Sequence, residues 1–450
     1  MRTLLSVLCA LFILTNLKAG NYPDRADYLW WTQPDHADWI YQCGEKATVD
    51  IAFSQYGIVP DGAVVEYTIG DDILGDDQSG KVMLKGGHAR INMGTRKSPG
   101  FRDLRLKVTV PDLTPASLTD GEPSGKTVTY SHHIKVAFSP EKIQPWTKEP
   151  ADFKAFWDES LKEAAQYPLH YTMEPAPEFS TEQIETFLVR LDLDRSHHVM
   201  YGYLMIPRGK KWEGRKLPVL LCPPGAGVKE IKNVTESSYY AENGIIRFLI
   251  EIHGADPTMS SRSMADVRSA FQGYLNFGLH SREQYYMRHV YLGLVRSLDF
   301  LTQLPQWDGR NVIVQGGSQG GALSLVAAAL DPRVTLCVAN HPALADMGAG
   351  SEGLTSGYPH FRPEDGAYTR EGLRTLAYYD VVNFARYVKC PVYMTWGYND
   401  NTCTPTTSYA VWNTLTCPKV KLVTPINEHW TSKTTNIGQM QWILRNLRKE

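Results

Sequence analysis

Asn311-Val312-Ile313-Val314-Gln315-Gly316-Gly317-Ser318-Gln319-Gly320-Gly321, running on from Ala322 to Leu330, is the stretch that decides the fold. Its apolar start reads as a buried strand, the glycines as a sharp turn and the Ala- and Leu-rich continuation as a helix, so a G-x-S-x-G sequence stands where strand passes into helix. The glycines have a steric reason: a strained turn that lifts Ser318 above a sheet leaves no room for side chains at 316 and 320. With 36 glycines in the chain the bare pattern is only moderately specific, and its setting is what singles it out from a Gly-rich loop that merely packs helix on strand.

Around this turn lie further apolar strand runs at Val219–Leu221, Ile245–Ile252, Thr335–Val338, Val392–Met394 and Val420–Val423, with helical patterns over Glu283–Leu304 and Ala322–Leu330. Nearly continuous apolar strands alternating with helices imply an α/β domain with a mainly parallel sheet. Upstream of Phe138 the period is two instead. Val49, Ile51 and Phe53 alternate with Asp50 and Ala52, and Leu104, Leu106, Val108 and Val110 with Arg105, Lys107 and Thr109. Turn residues at Pro60-Asp61-Gly62, Gly86-Gly87 and Asp120–Pro123 punctuate these strands, which predicts an immunoglobulin-sized β-sandwich over residues 20–138. Proline-marked linker follows from Ser139 to Pro150, and Phe153, Phe156, Trp157 and Leu161 fall at helical spacing, so the α/β domain is expected over residues 139–450.

The N-terminus has the parts of a secretory signal peptide: Arg2, the near-apolar run Leu4–Leu14, and Ala19-Gly20 before a polar stretch. That run is too short for a membrane anchor, so cleavage near Ala19 and export to a periplasmic or extracellular location are expected. Beyond Cys9, six cysteines remain; their pairing is unreadable, and no C-x-x-C or H-E-x-x-H spacing points to a metal. No cofactor is expected. With 46 Lys+Arg against 48 Asp+Glu the chain carries no electrostatic footprint for nucleic acid or an anionic membrane.

A serine hydroxyl is a poor nucleophile unless a histidine takes its proton, and with this kind of turn the chain order is Ser, then Asp or Glu, then His. After Ala345 only His360 and His429 remain, and His429 follows the last strand run by a few residues. Asp400 directly follows the Val392–Thr395 run and is the expected acid; Asp346 is the runner-up, and Asp331 reads as a helix stop before Pro332. An oxyanion needs two preorganised N–H donors. One is the backbone of Gln319; for the other, Pro223-Pro224-Gly225-Ala226-Gly227 offers Ala226 in preference to Gly225, the prolines having no N–H.

Several segments together resemble the acetyl xylan esterase and cephalosporin C deacetylase family of α/β-hydrolases. They are Tyr285–Arg288, Gly316–Gly321 running into Ala327–Arg333, Tyr379–Ala385, Lys389–Val392 and Asp400–Pro405, with Asp152–Trp157 and Tyr201–Pro207 fitting the family's entry. The resemblance covers about residues 150–450 and implies a serine esterase that removes acetyl groups from xylan or xylo-oligosaccharides, with Ser318, Asp400 and His429 as its triad. It also implies an acetylated oligosaccharide or polysaccharide as partner and a homo-oligomer, often a hexamer in the family. Two departures stand out: Pro224-Gly225-Ala226 where the family shows His-Gly-Tyr, and His253-Gly254-Ala255 where it shows Arg-Gly-Gln. Alanine at 226 removes an aromatic ring beside the acyl pocket, so propionyl and butyryl esters are expected to be tolerated; Tyr274 and Tyr398 are the candidates to refill the space. The competing readings are a prolyl-oligopeptidase-like serine peptidase, and a carbohydrate-binding protein with an inert hydrolase domain that binds sugar through Trp30, Trp31 or Trp39.

Overall fold

A computed structural model describes residues 28–449, apart from 114–117, 120–121, 124, 229–230 and 232–233. The expected signal peptide at 1–19 and Cys9 lie outside the described residues. The chain divides into two compact units. The first ends at Val136 and the second runs from Ala137, but the second also takes in two short early segments, Asp71–Gly75 and Lys97–Arg102. The sequence, read for a boundary at 138/139, gives no sign of these inserts.

The early strands are β1 (Tyr28–Pro34), β2 (Ile40–Tyr41), β3 (Ala47–Gln55), β4 (Val64–Asp71), β5 (Asp76–Met83), β6 (His88–Gly94), β7 (Gly100–Pro111), β8 (Leu118–Thr119), β9 (Glu122–Pro123) and β10 (Thr127–Phe138). They form a three-stranded sheet, β1-β3-β6, a five-stranded sheet, β2-β10-β7-β4-β5, and the small pair β8-β9. Side chains of a strand alternate between faces, and β3 buries Val49, Ile51 and Phe53 while Asp50 and Ala52 stay half-buried. In β7, Leu106, Val108 and Val110 are buried and Lys107 and Thr109 exposed. Trp39 is buried, and Trp30 packs on Phe53 with ring centroids 4.8 Å apart. Of the three tryptophans only Trp31, 48% exposed, stands out of the packing.

The second unit is built on nine strands: β11 (His170–Pro175), β12 (Ile184–Asp192), β13 (Val199–Pro207), β14 (Leu217–Cys222), β15 (Ile246–Glu251), β16 (Trp307–Gly317), β17 (Leu336–Asn340), β18 (Val392–Gly397) and β19 (Lys419–Thr424). Their order is β11-β12-β13-β15-β14-β16-β17-β18-β19. The five pairings from β15 to β19 are parallel, as expected of a mainly parallel sheet, whereas β11-β12, β12-β13 and β13-β15 are antiparallel, which makes the sheet mixed. Short reversals join β11 to β12 and β12 to β13, which leaves those strands no parallel option. β14 and β17 are buried along their whole length, which is why they read as continuous apolar runs.

The helices are α1 (Phe153–Ala165), α2 (Tyr239–Glu242), α3 (Ser261–Ala270), α4 (Met287–Leu301), α5 (Gln319–Leu330), α6 (Arg370–Tyr379), α7 (Val381–Ala385), α8 (Pro405–Thr414) and α9 (Lys433–Asn446). α5 is buried on nearly every face and packs on β16 and β17, which explains its Ala- and Leu-rich composition. Among the described residues no helix is long and apolar enough to cross a membrane. Because β14, β16, β17, β18 and β19 run parallel, the segments after their carboxyl ends gather along one edge of the sheet. Pro223–Gly227, Ser318, His341, Asp400 and His429 all lie in such segments.

Glu251 closes β15 as a buried carboxylate that accepts the N–H groups of His253 (2.8 Å) and Ala255 (2.9 Å). Burial outweighs these bonds and pushes its pKa up to about 7. The folded state therefore binds a proton that the unfolded chain has released, and the stability this gives is lost as pH rises from the usual carboxylate range through about 7. Relative to the parent, Glu251→Gln is expected to gain about 1–3 kcal/mol of stability between pH 5 and pH 8, whatever constant offset the amide brings. Urea unfolding at both pH values checks this; parallel curves would show that Glu251 ionises normally in the fold.

Candidate active site

Ser318 sits between β16 and α5 with φ 60° and ψ −126°, a conformation that favours glycine and that a side-chain-bearing residue adopts only when its surroundings enforce it. Its N–H donates to the carbonyl of Asn340 (3.0 Å), while its own carbonyl accepts Ala322 N–H (3.1 Å) and Ala343 N–H (3.0 Å). A Cβ on Gly316 would stand 2.4 Å from the Gly320 carbonyl, and one on Gly320 would stand 2.4 Å from the Pro223 carbonyl. These contacts give the steric need for glycine at 316 and 320 its atoms. They also press the start of α5 against the Pro223–Gly227 loop.

His429 Nδ1 lies 2.8 Å from Asp400 Oδ2. The acid is fully buried, and its other oxygen accepts the N–H groups of Thr402 and Cys403, each at 2.8 Å. Three bonds thus fix the carboxylate while the imidazole stays partly open to solvent. Ser318 Oγ faces Cys403 Sγ at 3.9 Å, and Cys403 is a buried thiol whose pKa is pushed up by burial and by the nearby Asp400. It stays neutral beside the serine. All six described cysteines are free thiols.

Asp346 and His360, the residues weighed against Asp400 and His429, do other work. Asp346 accepts the N–H groups of Trp146 (3.2 Å) and Thr147 (2.9 Å). The neighbouring Asp380 accepts Asp346 N–H (3.0 Å), Met347 N–H (2.9 Å), Val382 N–H (3.1 Å) and Thr147 Oγ1 (2.9 Å). Together the two acids tie the linker segment and the loop after β17 to α7. His360 Nε2 bonds the carbonyl of Thr402 (2.8 Å), inside the loop that carries Asp400.

Three contributors, His341, Cys403 and Asp72, escape sequence reasoning, whereas Tyr274 stands among the aromatics expected near Ala226. His341 follows β17 and lies with its ring 4.4 Å from that of His429; burial first, then the neighbouring imidazole, lowers its pKa to about 4, so it is neutral at ordinary pH. Its signal was its place directly after a buried strand. Cys403 has no such signal. Tyr274 Oη donates to Gln319 Oε1 and accepts Gly227 N–H (3.4 Å), which places a phenol against the loop that carries Ala226. Tyr398, the other aromatic expected there, is instead fully buried on Phe101, with centroids 4.9 Å apart. Finally Asp72, from one of the early inserts, accepts Thr406 N–H (3.2 Å) and Thr406 Oγ1 (2.7 Å) in the first turn of α8, and its carbonyl accepts Thr355 Oγ1 (2.8 Å). A carboxylate there satisfies an orphan donor and the helix dipole at once, and α8 begins directly after the Asp400 loop.

A buried carboxylate on an imidazole, and a strained serine, thus lie in segments that follow the carboxyl ends of parallel strands, an arrangement suited to a hydrolase. The acetyl xylan esterase (AXE1) family model matches residues 140–446, and the chain belongs to that family of carboxylic ester hydrolases. It is 51% identical over 433 residues to the acetyl esterase Axe7A of Xylanibacter ruminicola, covering 96% of this chain and 93% of that one. Among solved structures, the acetyl xylan esterase from Paenibacillus sp. R4 superposes with a TM-score of 0.60 at 26% identity, over 68% of this chain and 98% of that chain. Acetyl xylan esterase 1 from Thermoanaerobacterium sp. JW/SL YS485 does so with a TM-score of 0.58 at 23% identity, over 68% and 97%, and shares the α/β-hydrolase fold.

The two acids make a direct contest. Asp400→Asn is expected to lower turnover by about 10⁴, because the amide no longer holds the imidazole in its working tautomer. Asp346→Asn is expected to act through the folded fraction. Turnover per folded molecule in the two variants checks this, and a larger loss for Asp346→Asn would exchange their roles.

Proposed function

We propose that this chain is an exported serine esterase that hydrolyses O-acetyl esters of carbohydrates, acetylated xylan or xylo-oligosaccharides among them, through Ser318, His429 and Asp400. The observation that carries the reading is the 2.8 Å contact between Asp400 and His429 at the edge where Ser318 stands in its left-handed conformation. Ser318 Oγ attacks the acetyl carbonyl carbon while His429 Nε2 takes its proton and Asp400 holds the Nδ1 proton. The oxyanion that forms is met by the backbone N–H groups of Gln319 and Ala226. Collapse expels the sugar hydroxyl, which receives its proton from His429, and leaves an acetyl-serine. Water, deprotonated by the same imidazole, then releases acetate and restores Ser318.

The carbohydrate acetate as substrate rests on family membership and on the names borne by the relatives, which are acetyl or acetyl xylan esterases. The same membership favours an ester over the peptide bond that a prolyl-oligopeptidase-like enzyme would cut. Export rests on Arg2, the run Leu4–Leu14 and Ala19-Gly20. For the first unit we propose an immunoglobulin-like β-sandwich, supported by its two sheets and the alternating burial of β3 and β7.

Ser318→Ala is expected to abolish release of acetate from acetylated xylo-oligosaccharide while leaving the melting temperature within a few degrees of the parent. A fluorophosphonate should label Ser318 alone. An active alanine variant, or label on another residue, would overturn the assignment. Across acetate, propionate and butyrate esters of one alcohol, kcat/KM is expected to fall by roughly tenfold or less per added methylene. No turnover on any ester, with turnover on aminoacyl amides, would return the peptidase reading.

A further inference from the structure

Tyr274 belongs to none of the three residues of the proposed machinery, yet its hydroxyl stands between two of the segments that serve it. It begins a one-turn 3-10 segment, Tyr274–Asn276, directly after Gly273, whose φ of 71° turns the chain back from α3. The ring is buried and held edge-on by His253, with centroids 4.7 Å apart, and by Tyr286 at 5.3 Å. Its hydroxyl donates its proton to Gln319 Oε1 and accepts the N–H of Gly227 at 3.4 Å. Burial pushes the phenol pKa far above its ordinary value, so the group keeps the proton it donates at every pH the enzyme meets.

Its two partners lie in segments that follow different strands, β16 and β14. Gln319 is the residue after Ser318, at the start of α5. Gly227 ends the Pro223–Gly227 loop after β14, one residue past Ala226. The Gln319 side chain is buried, and its Nε2 has no hydrogen-bond partner among the described residues, so Oε1 is the end by which the amide is held. The Gly227 N–H turned toward the phenol is thus one residue past the Ala226 N–H proposed above as a donor to the oxyanion. Beside the close approach of Gly320 to the Pro223 carbonyl, this phenol bridges the two segments that carry the N–H donors.

We propose that Tyr274 is a positioning residue of the oxyanion hole, coupling the Ala226 and Gln319 donors through one hydroxyl. The inference rests on the esterase reading above. Its value lies in the transition state. Two donors aimed at one oxygen stabilise developing charge only while their separation is fixed, and a donor free to drift by a fraction of an ångström spends part of its effect on reorganisation. The ester carbonyl of the ground state, carrying less charge, feels that drift far less.

The test compares Tyr274→Phe, Gln319→Leu and the double variant, each in the full-length enzyme, with turnover expressed per Ser318 titrated by fluorophosphonate. Tyr274→Phe is expected to lower kcat on a small acetate ester roughly tenfold, less than the 10²–10³ that follows outright loss of one donor, with KM within about twofold. Affinity for methaneboronic acid, which forms a tetrahedral adduct on Ser318, should fall by the same factor as kcat/KM. Gln319→Leu should reproduce the loss, and the double variant should lose no more than about either alone. Should Tyr274→Phe fail to fold, Gln319→Leu with the boronic acid carries the test. The proposal is overturned by kcat within twofold of the parent in either folded variant, by losses that multiply in the double variant, or by a raised KM at unchanged kcat. A parent enzyme that takes no label at Ser318 would overturn the esterase reading and this inference with it, an outcome distinct from all of these.

Discussion

The active edge of this protein depends on a strand that must become a helix without a spare residue between them. At Gly317 the chain is still β16 and at Gln319 it is already α5, so Ser318 alone absorbs the change of direction. It does so in a conformation that holds only because its N–H and carbonyl are both claimed by the loop after β17. Gly316, Gly320 and Gly321 are then forced, since each sits within 3 Å, measured from a would-be Cβ, of a carbonyl belonging to another part of the turn or its neighbours. The same contacts bring the Pro223 loop and the Asn340 carbonyl to the serine. The site is therefore assembled by close packing of backbone before any catalytic side chain is considered.

Around that backbone, buried acids divide the work by what they accept. Asp400 accepts two N–H groups of its own loop on one oxygen and turns the other to the imidazole. Asp380 accepts four donors drawn from three segments, and Asp346 two, and neither meets a cation among these bonds. They act as cross-links of the chain. At Glu251, as at Asp346 and Asp380, burial outweighs the bonds and raises the pKa. What distinguishes the four acids, all nearly inaccessible, is which segments supply their donors.

What the sequence discloses follows from range. The elbow is legible because strand, turn and helix are adjacent in the chain, and Asp400 and His429 because each trails an apolar strand by a few residues. The alternation of Val49, Ile51 and Phe53 gives β3 for the same local reason. By contrast β11 and β12 went unmarked: β11 lies at the edge of the sheet with almost every side chain exposed, and carries no apolar pattern. The mixed character of the sheet rests on those strands and was lost with them. Asp72 is invisible at sequence level, since its partner lies 334 residues away, and Tyr274, expected near Ala226 only as a ring that fills space, gives no sign of its hydroxyl's bond to Gln319, 45 residues away.

The bond from Asp72 to the start of α8 means that the hydrolase unit is discontinuous along the gene. The family module spans residues 140–446, and the Paenibacillus enzyme is matched over 98% of its own length by 68% of this chain. In this chain the turn of α8 that follows the acid loop is capped by a residue translated long before that module begins. Cutting the chain at residue 140 would therefore strip a hydrogen-bond acceptor from the start of α8. The segment that matches the family is shorter than the unit that folds around α8.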